Sequence, residues 1–303
     1  MALLAKKPEI KEKRLKMFVF GQAGVGKTIA ALQFPKAYII DTEKGTDFYS
    51  DLIIKNGSVV FQSNNPDDIK DQLRALLTEK HDYKTLIIDP ITQVYNAVQE
   101  KWTRTFEKYA DSEKAKDVQD FGMRYWGKVK GDFKSIQRLM MQLDMNVIIT
   151  AHQKDVYGQG FSKIGVTFDS MKGDDYLFDL VFQIVQRGQD RAALKIKERA
   201  IPGQQKFPDD FAWSYDNFKK YYGEDIIERE AQPVAMATAE QVERIKMLVD
   251  VVKIEELEIT KWMTKADVSD WEEMTGEQIQ KCIDFVQKKI GAVEPETKKG
   301  KTK

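Results

Sequence analysis

Gly21, Gly26, Lys27 and Thr28 stand at the spacing G-x-x-x-x-G-K-[ST], in the run "GQAGVGKT". Such a run suits phosphate: glycine-rich backbone turns its N–H groups toward the oxygens, the lysine neutralises the β- and γ-phosphates, and the threonine hydroxyl ligates Mg2+. With glycine near 7% of average usage, four fixed positions of this kind arise by chance in roughly 1% of chains of this size. Gln22, Ala23, Gly24 and Val25 complete the same cradle with main-chain donors. Asp89, closing the apolar run "TLIIDP", is the expected second anchor for the metal. In "AYIIDTEKG", Asp41, Thr42 and Glu43 end another apolar run. A glutamate placed there can polarise a water in line with a γ-phosphate. A helix cap or plain surface carboxylates are the bland alternative.

The flanking elements must bring these groups to one rim. "KMFVFG" (16–21) reads as a strand, Thr28 to Gln33 as a short helix, and 36–41 and 58–62 as further strands. Residues 66–80 carry Ile69, Leu73, Leu76 and Leu77 at helical spacing, followed by the strand 85–89. A long, polar, aromatic-dotted helical stretch runs from about 91 to 143, with a break near "ADSEKAKD". The strand "NVIITAH" (146–152) comes next, then a glycine-rich loop. "LFDLVFQIVQR" and "RAALKIKERA" read as paired strands. Strands apolar throughout and separated by helices indicate a parallel sheet covered on both faces. Ligands of such open α/β sheets bind at the carboxyl ends of the strands.

The chain of 303 residues is 42% hydrophobic and 32% charged, which supports a buried core. The expected domains are a basic arm (1–15), a large α/β domain (16–225), a linker (226–237), a small helical domain (238–291) and a basic tail (292–303). Thr238 and Gln241 have capping-box spacing, and Val242, Ile245, Leu248, Val249 and Val252 share one helix face. Formal net charge is zero, so polyanion binding must come from local patches. One cysteine, Cys282, excludes an internal disulfide, and His81 and His152 offer no zinc-site spacing. No apolar run reaches membrane-span length and the amino end has no signal-peptide core, so a cytoplasmic protein with no membrane partner is expected.

The order of phosphate loop, strand plus "DTE", strand plus Asp89 and then "NVIITAHQK" resembles the ATPase core of the RecA superfamily. Within it, the likeness is to phage-encoded RecA-like ATPases of the Sak-type single-strand annealing and recombination group, over about residues 14 to 222. The resemblance implies an α/β fold class: a RecA-like P-loop NTPase core with a mainly parallel sheet, plus a small C-terminal three-helix domain. It implies ATP and Mg2+ as ligands and Glu43 as catalytic base. Gln153 or His152 would then be the sensor linking the γ-phosphate to a DNA-binding loop. "AHQ" departs from the commoner Asn-Gln or Ser-Gln ending and leaves both open. Lys197 and Arg199, alternating with Glu198, face one way in an extended strand. By the likeness they project into a neighbour's ATP site, which implies a homo-oligomeric ring or filament.

Single-stranded DNA is expected on the loop 153–175, where Lys154, Lys163 and Lys172 meet phosphate and Tyr157 and Phe161 offer stacking surfaces. Asp155, Asp169, Asp174 and Asp175 offset those lysines. A second loop with Arg124, Lys128 and Lys130 competes with an amphipathic helix whose aromatics Phe121, Tyr125 and Trp126 are core. The C-terminal helices could touch DNA or a single-strand-binding protein. Two other functions compete: a small-molecule, nucleotide-type kinase, although the loop 154–175 holds no arginine for a lid, and a nonhydrolytic ATP-gated DNA scaffold.

Overall fold

The computed structural model describes residues 14–110, 118–199 and 205–293. Most of the expected basic arm and tail, and the expected helix break, lie outside the described residues. In chain order the elements are β1 (Lys16–Gly21), α1 (Lys27–Leu32), β2 (Ala37–Asp41), α2 (Ser50–Lys55), β3 (Val59–Gln62), α3 (Pro66–Thr78) and β4 (Thr85–Asp89). Next come α4 (Ile91–Ala110), α5 (Val118–Gln142), β5 (Asn146–Tyr157), β6 (Lys163–Phe168), β7 (Leu180–Arg187), β8 (Asp190–Glu198) and β9 (Asp210–Ala212). The last helices are α6 (Tyr215–Tyr222), α7 (Glu224–Glu228), α8 (Ala239–Val252), α9 (Glu256–Ala266) and α10 (Gly276–Val293). No described helix is long and apolar enough to cross a membrane.

The chain divides into two units. The first comprises residues up to 65 together with 81–97 and 144–232, and it holds the sheet. The described strands run in the order β3-β2-β4-β5-β1-β7-β8-β9, with β6 paired to β5. β1 pairs in parallel with β5, from Lys16↔Val147 to Gly21↔His152, and with β7, from Met17↔Leu180. β4 pairs in parallel with both β2 and β5. One strand, β5, lies between the phosphate-loop strand β1 and the strand β4 that ends in Asp89. Because β1, β2, β4 and β5 all run the same way, Gly21, Asp41, Asp89 and His152 emerge on one rim.

One face of the sheet buries Met17, Val19, Ile39, Ile87 and Ile148 in alternation along the strands. Ala30 and Ala31 of α1 are almost fully buried against it, and their small side chains let the helix that carries Lys27 approach closely. Phe34, Phe182, Phe207, Phe211, Trp213 and Phe218 extend this core as edge-to-face and tilted aromatic pairs. Removing one such ring costs about 3–5 kcal/mol. The helix α6, with Phe218 and Tyr222 buried, has no counterpart in the sequence reading.

The second unit comprises 66–80, 98–143 and the residues from 233 onward. It therefore takes helices from within the expected large domain and groups them with the C-terminal ones. In α8 the Thr238 hydroxyl accepts from the Gln241 N–H and the Gln241 side chain accepts from the Thr238 N–H, as the capping-box spacing predicts. Val242, Ile245, Trp271, Met274, Ile279, Ile283 and Val286 form the core of the three-helix module. The side chain of Glu273 is buried in this unit. It accepts from the Ser135 hydroxyl, from Arg138 Nη2 at 3.0 Å and from the Ser269 N–H at 2.8 Å. Burial pushes its carboxyl up, but these donors together outweigh that and hold it below the ordinary glutamate range.

Glu273→Ala is expected to lower stability by about 3 kcal/mol, because it leaves a largely buried guanidinium without its partner. Urea denaturation followed by circular dichroism reads the loss. Since the folded-state pKa is depressed, the wild-type contribution is complete above the unfolded value and disappears as pH falls through the folded one. The alanine variant should lack that component of acid destabilisation.

Candidate active site

The phosphate loop follows β1 directly and opens α1. Its backbone depends on three glycines, of which Gly24 has φ +76°. Gly21 lies so close to the Ile184 carbonyl that a Cβ would collide with it. Gly26 is the left-handed N-cap of α1, with φ +90°, and a Cβ there would strike the Arg191 guanidinium. Arg191 Nε in turn donates to the Val25 carbonyl at 3.1 Å. Gly26→Ala is therefore expected to abolish nucleotide binding while leaving the aromatic core folded, as read by anisotropy of a fluorescent ATP analogue beside a thermal melt.

Lys27 Nζ donates to the carbonyls of Gly21 at 3.0 Å and Gln22 at 2.8 Å. Burial pulls its ammonium below the ordinary lysine range, against the opposing pull of Asp89 and Glu43. The negative charge of a bound phosphate would pull in the opposite direction and favour the ammonium. Beside the lysine opens a cleft of about 200 Å3 whose lining includes Thr28, Asp41, Glu43, Asp89 and His152.

The carboxylates in this cleft have different tasks. Asp41 is buried and accepts from the N–H groups of Glu43 (3.1 Å), Gly45 (3.2 Å) and Thr46 (3.0 Å) and from the Thr46 hydroxyl (2.5 Å). Burial raises its pKa, and these four bonds more than reverse the effect. With its lone pairs spent on the turn 43–46, Asp41 shapes the loop that carries Glu43. Thr42 ties that loop to the neighbouring strand end: its N–H donates to the Asp89 carbonyl at 2.9 Å and its hydroxyl to the Pro90 carbonyl at 2.9 Å.

Asp89 accepts from the Thr150 hydroxyl and is also hydrogen-bonded to Thr28. Burial drives its carboxyl upward, with the Asp41 charge adding to the rise. A buried carboxylate next to the Thr28 hydroxyl, with no full counter-charge beyond Lys27, fits a divalent cation. Thr28 and Asp89 would hold Mg2+. Bound there, Mg2+ would offset negative charge on the phosphates. Among the described residues no group of three or more His, Cys, Asp or Glu side chains forms a metal site by itself.

Glu43 is half-exposed and faces the cleft. Gln93 Nε2 donates to Glu43 Oε1 at 2.6 Å, and His152 Nε2 lies 3.1 Å from the same oxygen. The His152 N–H donates to the Thr92 hydroxyl, which donates onward to the Asp169 carbonyl. Along β5 the side chains alternate: His152 turns to Glu43, while Gln153 Oε1 accepts from Gln183 Nε2 at 2.8 Å, outside the cleft. Of the two residues expected as sensor, His152 lines the cleft and Gln153 does not.

Chain order gave no sign of Thr150, Thr92, Gln93 or Arg191. A period-two count back from His152 would have found Thr150, and the first helical turn after "DP" would have found Thr92 and Gln93.

Lys197 and Arg199 are not brought to this cleft. Their strand β8 runs antiparallel to β7, and Lys197 pairs with Val181 while Leu180 pairs with Met17. They sit toward the amino-terminal rim, roughly four residues or 13 Å of strand away from Gly21. Lys197 Nζ donates to the Asp175 carbonyl at 2.6 Å and lies over the Tyr176 ring, and Arg199 pairs with Asp179 at 3.1 Å.

The segment expected as a glycine-rich loop is instead largely an antiparallel hairpin of β5 and β6, with Gln153↔Phe168 and Lys154↔Thr167 in register. The alternating "KIGVTF" pairs with the far end of β5 and outweighs the glycines. Tyr157 and Phe161 are 59% and 92% exposed. Lys154 pairs with Asp169 and Lys163 with Asp155, while Lys172 is exposed. Arg124, Lys128 and Lys130 lie on α5, a helix, with Tyr125 packed edge-on to Phe106 and Trp126.

A family model described as an AAA domain matches residues 13–207, more than half of the chain. The chain belongs to the AAA domain family. The matched span contains the phosphate loop, Glu43, Asp89 and His152, so this AAA domain is a P-loop ATPase with its site on the rim described above. Two solved structures have a likeness to it. The RadB recombinase is 13% identical, with a TM-score of 0.34 over 61% of this chain and 82% of that one. The ATPase EscN of the enteropathogenic E. coli type III secretion system is 11% identical, with a TM-score of 0.33 over 90% of this chain and 67% of that one. Likenesses this faint add nothing to the reading of the AAA domain. No curated protein matches its sequence.

Proposed function

We propose that this protein is a DNA-dependent ATPase that assembles on single strands and assists annealing or strand exchange in phage recombination. The observation that carries the reading is the continuity of β5. One strand bears His152 beside Glu43 and, five residues on, Tyr157 in a hairpin that ends in the exposed Phe161. A γ-phosphate that displaces His152 from Glu43 would move the base of that hairpin directly. Conversely, bases stacked on Tyr157 and Phe161 would bias the His152 contact, since coupling between two sites is reciprocal. Stacking on exposed aromatics tolerates any base sequence. With two of the three lysines already paired to aspartates, stacking rather than charge is the larger part of the expected affinity.

Hydrolysis follows from the same geometry. Lys27 and the loop N–H groups hold the phosphates, and Glu43, oriented by Gln93, accepts a proton from the attacking water. Lys197 and Arg199, remote from their own cleft, act in a neighbouring protomer of a ring or filament. Purified protein should hydrolyse ATP faster with single-stranded DNA than without it, and should retain labelled DNA at low salt when ATP is present. Hydrolysis indifferent to DNA, together with no retention, defeats the proposal.

A further inference from the structure

The C-terminal module holds a second cleft, of about 380 Å3. Trp262, Met274, Cys282 and Phe285 line it, together with Lys265 and Lys281. Trp262 and Phe285 meet edge to face at 5.5 Å, so two rings form one fixed apolar wall. Phe285 is nevertheless 40% exposed. The lining has two ammonium groups and no carboxylate, in a chain whose acidic and basic residues are equal in number. Lys289 adds a third cation, 5.1 Å from the Phe285 ring. The nearest pairing is between Lys281 and Glu277 at 2.5 Å, with both side chains mostly exposed, where an ion pair is readily exchanged for another.

We propose that this cleft docks a short acidic peptide segment of a partner protein. One bulky apolar side chain of the peptide lies against Trp262, Met274 and Phe285, and its carboxylates lie over Lys265 and Lys281. The apolar wall gives affinity through area removed from water. The lysines select for acidic flanks and make the association salt-sensitive. The volume admits a side chain or two rather than a strand of nucleotides. This surface is separate from the ATP site, and it gives the expected protein partner of the C-terminal helices a definite chemistry.

The test uses the full chain and a fluorescein-labelled oligo-aspartate peptide ending in Leu-Phe. Saturable anisotropy is expected at low salt, weakened about tenfold or more by K265E/K281E and likewise by replacing the terminal Phe of the peptide with Ala. Both lysines are exposed, so the double variant should keep the wild-type melting temperature and ATPase rate. Cys282 is the single cysteine of the chain, so iodoacetamide alkylation reports on this cleft alone. On the unmutated protein, saturating peptide should slow that alkylation several-fold. The proposal is overturned if no saturable binding occurs, if K265E/K281E binds as the wild type does, or if alkylation proceeds at the same rate under peptide. It is equally overturned if a single-stranded oligonucleotide displaces the peptide and protects Cys282 as well, which would make the cleft a nucleic-acid site.

Discussion

Glu43→Gln should lower ATP turnover by ~100- to 10,000-fold, the usual span for removing a positioned general base. Glutamine keeps the shape of the side chain and can still accept from Gln93, so the loop 43–46, pinned by Asp41, has no reason to move. Nucleotide affinity depends on Lys27, Thr28 and the loop N–H groups and should stay close to wild type. Phosphate release at saturating ATP, set against anisotropy of a labelled nucleotide, separates the two quantities. Turnover equal to wild type would leave Glu43 without a catalytic role and favour a nonhydrolytic scaffold. Equal loss of turnover and affinity would mean that Glu43 serves binding instead.

The second large effect concerns Lys197 and Arg199. In the proposed assembly these cations close a neighbour's site, and Lys197→Ala with Arg199→Ala should reduce turnover by ~1,000-fold or more, as for other charges supplied in trans. Binding of ATP by each protomer should persist, because the two residues lie toward the rim opposite their own phosphate loop. To reach a neighbour, Lys197 must leave the Asp175 carbonyl and the Tyr176 ring, and Arg199 must leave Asp179. Lys197 and Arg199 are themselves at least partly solvent-exposed, which lowers the cost of exchanging partners. Mixing this variant with Glu43→Gln should restore part of the activity, since one of the hybrid interfaces combines an intact base with intact cations. If no mixing ratio restores turnover, the trans role is wrong and the loss has a local structural cause.

Legibility in the sequence followed the range of the interactions involved. Gly21, Gly26, Lys27 and Thr28 could be read directly because the phosphate cradle is built from consecutive residues whose spacing is itself the geometry. Asp89 and Glu43 could be read as the polar ends of apolar strands, since parallel strands must deliver such ends to a common rim. The capping box of Thr238 and Gln241 is local in the same way.

The contacts that assign roles were different. Thr150 reaches Asp89 across 61 residues of chain, and His152 reaches Glu43 across 109. Both depend on β5 lying between β1 and β4 in register. The pleat turns His152 toward Glu43 and Gln153 toward Gln183, a difference that their adjacency in the chain does not reveal. The hairpin after β5 was hidden because glycines at 158, 160 and 165 weaken the strand signal, while cross-strand pairing that no local pattern reveals restores it.

From the sequence alone came the phosphate chemistry, the apolar strands and the helical caps, because each is set by neighbours a few residues apart. Tertiary structure decided which strand lies next to which, and with it that Asp41 spends its charge on a turn while Glu43 faces the cleft. The same packing assigned α3, most of α4, and α5 to the unit that holds the C-terminal module. Chain order carries no such information, because burial of apolar faces depends on surfaces that meet only after folding.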